Sequence, residues 1–195
     1  MTNELHQIAS RPPQERADAA RNRQRVLAAA SRLFAEHGVE GVTMDAVAQA
    51  AGVGKGTVFR RFGDKSGLAA ALLDEREREI QGVILSGAPP LGPGAPPRER
   101  AIAFFDAYVT YLSGHLELIR LSETASPGAR YRIGAYRFWH RHLAILLTST
   151  ADPDHLAHSL LATVDADLNA ALRAQGYDWD RIRAGIRDLV TRALR

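Results

Sequence analysis

Residues 43–62 read TMDAVAQAAGVGKGTVFRRF. Two short helical segments flank Gly52, and the second carries Lys55, Arg60 and Arg61. Thr43 stands where an N-cap is expected before a helix over Met44–Ala51; Gly52 permits a tight turn, and a second helix is expected over Lys55–Arg61. Val47, Ala51, Val53, Val58 and Phe62 have the spacing to lock the second helix across the first. Lys55, Thr57, Arg60 and Arg61 are then left outside, and Gly56 allows close approach of a sugar-phosphate backbone. From the residues alone two readings stay open: a helix-turn-helix that enters a DNA groove, or a solvated helical hairpin with incidental cations.

Helical periodicity extends on both sides of this stretch. Val26, Ala30, Leu33 and Phe34 predict a helix over Asp18–His37 that Gly38 ends. Asp64 is expected to cap a following helix whose Leu68, Leu72, Leu73, Ile80 and Ile84 face inward while Asp74, Glu75, Glu77, Arg78 and Glu79 face water. SGAPPLGPGAPP at 86–97 breaks it. Beyond lie a helix from about Arg98 to Ser113, an apolar segment at 115–121, and a helix from about Gly128 to Thr148. Asp152-Pro153-Asp154 then opens a helix that Gly176 closes, and Asp178 opens the last. No strand pattern appears, so the expected fold class is all-α.

Composition narrows the function. The 195 residues include no cysteine, which removes disulfides, thiolate metal sites and a cysteine nucleophile and points to a cytoplasmic setting. No run approaches the roughly 20 apolar residues of a membrane span, so no membrane partner is expected. The net charge of +3 is unevenly placed: through Lys65 there are ten basic and seven acidic residues, and fifteen of each thereafter. The basic excess therefore belongs to the segment with the candidate DNA-binding helices. AGVGKGT imitates a phosphate-binding loop, but Gly56 stands where that motif needs Ser or Thr and no strand precedes it.

Residues 23–73 resemble the DNA-binding domain of the TetR family of transcriptional regulators. The resemblance rests on Thr43, Val47-Ala48, Ala51-Gly52-Val53, Lys55-Gly56-Thr57-Val58-Phe59, Phe62, Lys65 and Leu68, all in register. Residues 1–17, polar with Pro12-Pro13 and without period, are expected to form a flexible arm; the resemblance implies a helix-turn-helix domain over 18–65 and a helical ligand-binding and dimerisation domain over 66–195. It further implies that Thr43 and Lys65 hold phosphates, that Lys55, Gly56, Thr57 and Arg60 lie closest to bases, and that Arg61 lies at the backbone. Phe59 departs from the family's usual tyrosine and lacks the phosphate-bonding hydroxyl, a loss of about 1 kcal/mol.

The resemblance also implies a small-molecule effector site, for which Phe104, Tyr108, Tyr111, His115, Arg120, Glu123, Tyr136 and Trp139 supply apolar walls and polar anchors; plain core is the other reading of these aromatics. It implies a homodimer formed by the last two helices, with Leu160, Leu161, Val164, Leu168, Ile182, Ile186 and Leu189 at the interface, presenting two recognition helices to a palindromic double-stranded DNA operator. His155 and His158 beside Asp152 and Asp154 have a spacing that can hold a metal, but solvated first-turn residues are the commoner case, so no metal and no cofactor are expected. The expected function is a ligand-released repressor without catalytic activity. An enzyme using the C-terminal cavity, for which Glu123 with His115 is the best pair, and a protein-binding helical bundle are the alternatives.

Overall fold

The structure, a computed structural model, describes residues 13–194, with side chains from residue 17. The expected arm over 1–17 falls mostly outside the described residues. Every described element is a helix: α1 Pro13–His37, α2 Met44–Ala51, α3 Lys55–Phe62, α4 Lys65–Ser86, α5 Pro97–Glu123, α6 Ala129–Arg132, α7 Gly134–Leu146, α8 Pro153–Ala162, α9 Ala166–Ala174 and α10 Trp179–Ala193. Helix α1 begins before the expected Asp18, at a proline suited to a first helical position. The chain divides into two compact units inside α4, between Leu72 and Leu73.

In the N-terminal unit, Val26, Ala29, Ala30 and Phe34 of α1, Met44, Val47, Ala48 and Ala51 of α2, Val58 of α3 and Leu68 of α4 are buried. Thr43 caps α2 by accepting from the Ala46 N–H at 3.1 Å. Gly52 closes it in the left-handed region at φ 62°, and the Val53 N–H reaches back to the Ala48 carbonyl at 3.1 Å. Asp64 caps α4, its Oδ1 accepting from the Gly67 N–H at 2.9 Å and from the Ser66 hydroxyl at 2.5 Å. The Ser66 bond, then the Gly67 bond, hold this carboxyl below its ordinary range. A Cβ at residue 67 would lie 2.0 Å from the Phe62 carbonyl oxygen, so glycine is required where α4 turns back against the end of α3.

The C-terminal unit packs α5, α7, α8 and α10 around Phe104, Phe105, Leu112, Trp139, Leu143, Leu160, Leu161 and Val164. Three expected boundaries shift here. Helix α5 continues through 115–121, bent at His115 (φ −139°, ψ 21°), whose ring Nδ1 lies 3.0 Å from the Tyr111 carbonyl it would otherwise face through its own backbone. The expected helix over 128–148 is interrupted at Ile133, which is extended. The expected single helix from Asp152 to Gly176 is two, α8 and α9, broken at Thr163–Asp165.

That last break is held by polar groups both at the break and from other elements. Asp165 caps α9 on the Leu168 N–H at 2.9 Å, and the Asn169 amide donates to the carbonyls of Thr163 and Asp165 at 2.9 and 2.8 Å. The Glu123 carboxylate accepts from the freed Ala166 N–H at 3.1 Å, while Arg130 donates to the Leu161 carbonyl at 2.9 Å. Backbone groups orphaned by the break are thereby satisfied inside the unit.

Candidate nucleic-acid interface and the cavities of the C-terminal unit

Helices α2 and α3 form the helix-turn-helix. Val58, with no exposed surface, anchors α3, which leaves Lys55, Gly56, Phe59, Arg60 and Arg61 exposed and Thr57 half-buried. The Lys55 ammonium pairs with Asp45 of α2 at 2.6 Å and lies 5.6 Å from the centre of the Phe59 ring. Both partners of that pair are mostly in water, so it holds the lysine with no more than about 1 kcal/mol. Arg61 donates to the Ala19 carbonyl of α1 at 3.1 Å. Arg60 has no hydrogen-bond or ion-pair partner among the described residues.

Two features of this face have no explanation inside the chain. Phe59 is an apolar ring 40% exposed in the middle of a cationic surface. Gly56 lies in a helix, where glycine costs about 1 kcal/mol relative to alanine, yet a Cβ there would meet nothing within 4 Å. Its smallness serves no internal packing and suits close approach from outside.

The other predicted contacts take defined places. Thr43 spends its hydroxyl oxygen on the α2 cap, and Lys65 donates to the Val39 carbonyl at 2.8 Å, tying the start of α4 to the loop before α2. Arg25 of α1 was not anticipated. It donates to the carbonyls of Ala51 at 2.6 Å and Gly52 at 3.2 Å, capping the C-terminal end of α2 at the turn itself. Its sequence signal, one arginine in a basic helix, is indistinct from its neighbours.

In the C-terminal unit the eight candidate effector contacts separate. Tyr108, Tyr111, Glu123, Tyr136 and Trp139 line one narrow crevice of about 10 Å³, joined by Glu77 of α4. Phe104 is core beneath it, its ring 5.8 Å from those of Tyr108 and Trp139. Tyr111 and His115 border a second, open groove of about 510 Å³ lined also by Arg76, Glu79, Ile80, Asp106, Thr110 and Arg183. Arg120 lies apart, exposed and paired with Asp167 at 2.8 Å. Glu77 corrects an expectation: it does not face water with Glu75 and Glu79 but turns into the crevice, where it accepts from the Tyr111 hydroxyl at 3.1 Å.

Charge in the crevice is tightly arranged. Arg130 and Glu123 form an ion pair whose side chains are 6% and 7% exposed, and the guanidinium lies 5.3 Å from the centre of the Tyr136 ring. Burial raises Glu123 despite Arg130 beside it, and burial likewise raises Glu77 and the phenols of Tyr108 and Tyr111. Glu123 does not meet His115, whose ring turns to the Tyr111 carbonyl, so the acid–base pair conceived for an enzyme is not assembled.

The dimer residues need correction too. Leu160, Leu161, Val164, Ile182 and Ile186 are between 0 and 6% exposed and belong to this chain's own core, so they have almost no surface to offer a partner. Their periodic stripe faces inward; Leu168 and Leu189, at 45% and 44%, are exposed. The His158 ring lies 3.9 Å, centre to centre and tilted, from that of His140, its Nδ1 lies 2.8 Å from the Tyr136 hydroxyl, and Asp152 is used as the α8 cap. No group of three or more potential metal ligands occurs among the described residues, and no described helix is long and apolar enough to cross a membrane.

Residues 26–72 match the family described as bacterial regulatory proteins, tetR family. An HTH-type transcriptional regulator of Staphylococcus aureus (strain USA300) is 49% identical over 65 residues, 33% of this chain and 35% of that protein, so the chain spans about a third of the length of this curated relative. A bacterial regulatory protein in the tetR family from Rhodococcus RHA1 shares the fold over 89% of this chain and 96% of its own, with a TM-score of 0.61 and 19% identity. FadR of Bacillus subtilis, a transcriptional regulator solved in complex with stearoyl-CoA, does so over 86% and 96%, with a TM-score of 0.60 and 18% identity. Residues 26–72 thus match the N-terminal helix-turn-helix domain of the bacterial regulatory proteins of the tetR family, and the chain as a whole shares the fold of solved structures of that kind.

Proposed function

We propose that the chain is a transcriptional repressor that binds a palindromic operator as a homodimer and is released by a small-molecule effector held in the C-terminal unit. The observation that carries the DNA-binding half is the outer face of α3, where Arg60 is unpaired among the described residues, Phe59 is partly exposed beside Lys55 and Gly56 leaves space that no internal neighbour uses. On that face Arg60 and Thr57 read base edges. Lys55 exchanges Asp45 for DNA, and Arg61, Thr43 and Lys65 fix the backbone register. Leu168 and Leu189 supply exposed apolar side chains to the dimer surface. An effector acts through a difference in affinity between DNA-competent and DNA-incompetent states, however tightly it binds either one.

Fluorescence anisotropy of the chain against its own upstream intergenic DNA and a scrambled duplex, at two salt concentrations, tests this reading. Selective binding that persists at the higher salt is expected. Equal and salt-labile binding to both duplexes, followed by failure to enrich any sequence from a random duplex library, would end the sequence-reading claim.

A further inference from the structure

The crevice between α4, α5 and α7 is lined by two carboxylates, Glu77 and Glu123, and the one cation beside it, Arg130, pairs with the second. Arg130 serves Glu123 and the Leu161 carbonyl, and its Nε faces Asp165 at 3.8 Å. Glu77 has the Tyr111 hydroxyl and, among the described residues, no cation within ion-pair distance. The walls around it are aromatic: Tyr108 lies 5.8 Å from Tyr111 and 6.2 Å from Trp139, ring centre to ring centre. A half-buried anion bordered by aromatic rings is an environment for an organic cation, attracted by both the charge and the π faces. A ligand anion would meet two carboxylates instead. A neutral apolar ligand would desolvate Glu77 with nothing in return.

The crevice as it stands, about 10 Å³, holds no more than a water molecule. Tyr111, however, is a wall both of the crevice and of the open groove of about 510 Å³, a volume suited to a drug-sized molecule. A ligand spanning both spaces requires displacement of this shared side chain. It breaks the Tyr111–Glu77 hydrogen bond, which an ammonium at Glu77 replaces by a charged contact.

We propose that the C-terminal unit binds a monovalent organic cation, a quaternary or protonated amine with an apolar tail, whose head rests against Glu77 among Tyr108, Tyr111 and Trp139 and whose tail lies in the groove. Its role as effector rests on the regulatory reading above; its binding does not. Burial already holds the Glu77 carboxyl above its ordinary range, so glutamine there is compatible with folding.

The test is a tryptophan-fluorescence titration of the full chain with benzyltrimethylammonium and with its uncharged isostere neopentylbenzene, on the wild type, Glu77→Gln and Glu75→Gln. Glu75 is an exposed carboxylate on the same helix and controls for net charge. The wild type and Glu75→Gln are expected to bind the cation saturably and alike, with the isostere at least tenfold weaker. Glu77→Gln, melting as the wild type does, is expected to lose at least tenfold. Equal affinity for cation and isostere, absence of saturation, or an unchanged Glu77→Gln would overturn the proposal. Repeating the operator titration in saturating cation separates the two ideas. Cation binding that leaves DNA affinity unchanged upholds the site and refutes its role as effector. DNA release by an unrelated compound, with no cation binding, refutes the site and upholds the regulatory reading.

Discussion

His142 of α7 is a histidine whose position in the core disfavours its charge. It is 7% exposed, its ring lies 5.5 Å from that of Phe104, and its Nε2 has no hydrogen-bond partner among the described residues. Burial first, and the nearby Arg100 charge second, hold its pKa down to about 4 against an ordinary 6.5. Because the folded-state value is depressed, the stabilising contribution is complete above the unfolded value and is lost as pH falls through the folded one. Linkage over that interval gives a loss of about 2 kcal/mol on going from about pH 8 to about pH 5, and about 3 kcal/mol once both states are protonated. His142→Leu keeps an apolar side chain against Phe104 and removes the titration. Urea unfolding followed by tryptophan fluorescence isolates the right unit, since Trp139 and Trp179 both lie in it. The wild type should lose about 2 kcal/mol more than the variant between the two pH values. Asp64, Glu77 and Glu123 titrate in both proteins and cancel. Identical pH dependence in the two would refute the argument.

Three further outcomes are expected. Gly67→Ala places a Cβ 2.0 Å from the Phe62 carbonyl oxygen and should lower the stability of the N-terminal unit by about 2 kcal/mol or more, whereas Gly56→Ala should raise it by up to about 1 kcal/mol while weakening operator binding; thermal melts and anisotropy read the two effects. Arg130→Met leaves Glu123 buried without its cation and the Leu161 carbonyl without its donor, a loss of about 3–5 kcal/mol, and a loss under 1 kcal/mol in urea titration would contradict the buried pairing. Arg60→Ala should relax sequence preference while Lys65→Ala weakens every duplex alike and reduces the salt slope by about one charge; an equal loss on all sequences for Arg60→Ala would remove it from base readout.

The N-terminal unit was legible because its signals are local. Thr43 ahead of an apolar run, Gly52 at a turn that needs a positive φ, and Asp64 ahead of α4 each act within a few residues of themselves, and each has the predicted cap or turn role. Helix boundaries in the C-terminal unit were misread where distant partners decide them. The break at residues 163–165 carries a local cap, Asp165, but it also depends on Glu123 and Arg130, more than thirty residues away, which bond the Ala166 N–H and the Leu161 carbonyl.

The sequence by itself determined an all-helical chain, the helix-turn-helix and the cations on its outer face, since caps, period and charge placement are properties of neighbours along the chain. Only the tertiary structure decided which side of each apolar stripe is buried. It put Leu160, Leu161, Val164, Ile182 and Ile186 in the chain's own core, turned Glu77 from the solvent side into an aromatic crevice, and separated His115 and Arg120 from it. Helical period tells that a stripe faces something apolar. Whether that neighbour is another helix of the same chain, a second copy or a ligand depends on packing between residues far apart in sequence, which no local pattern encodes.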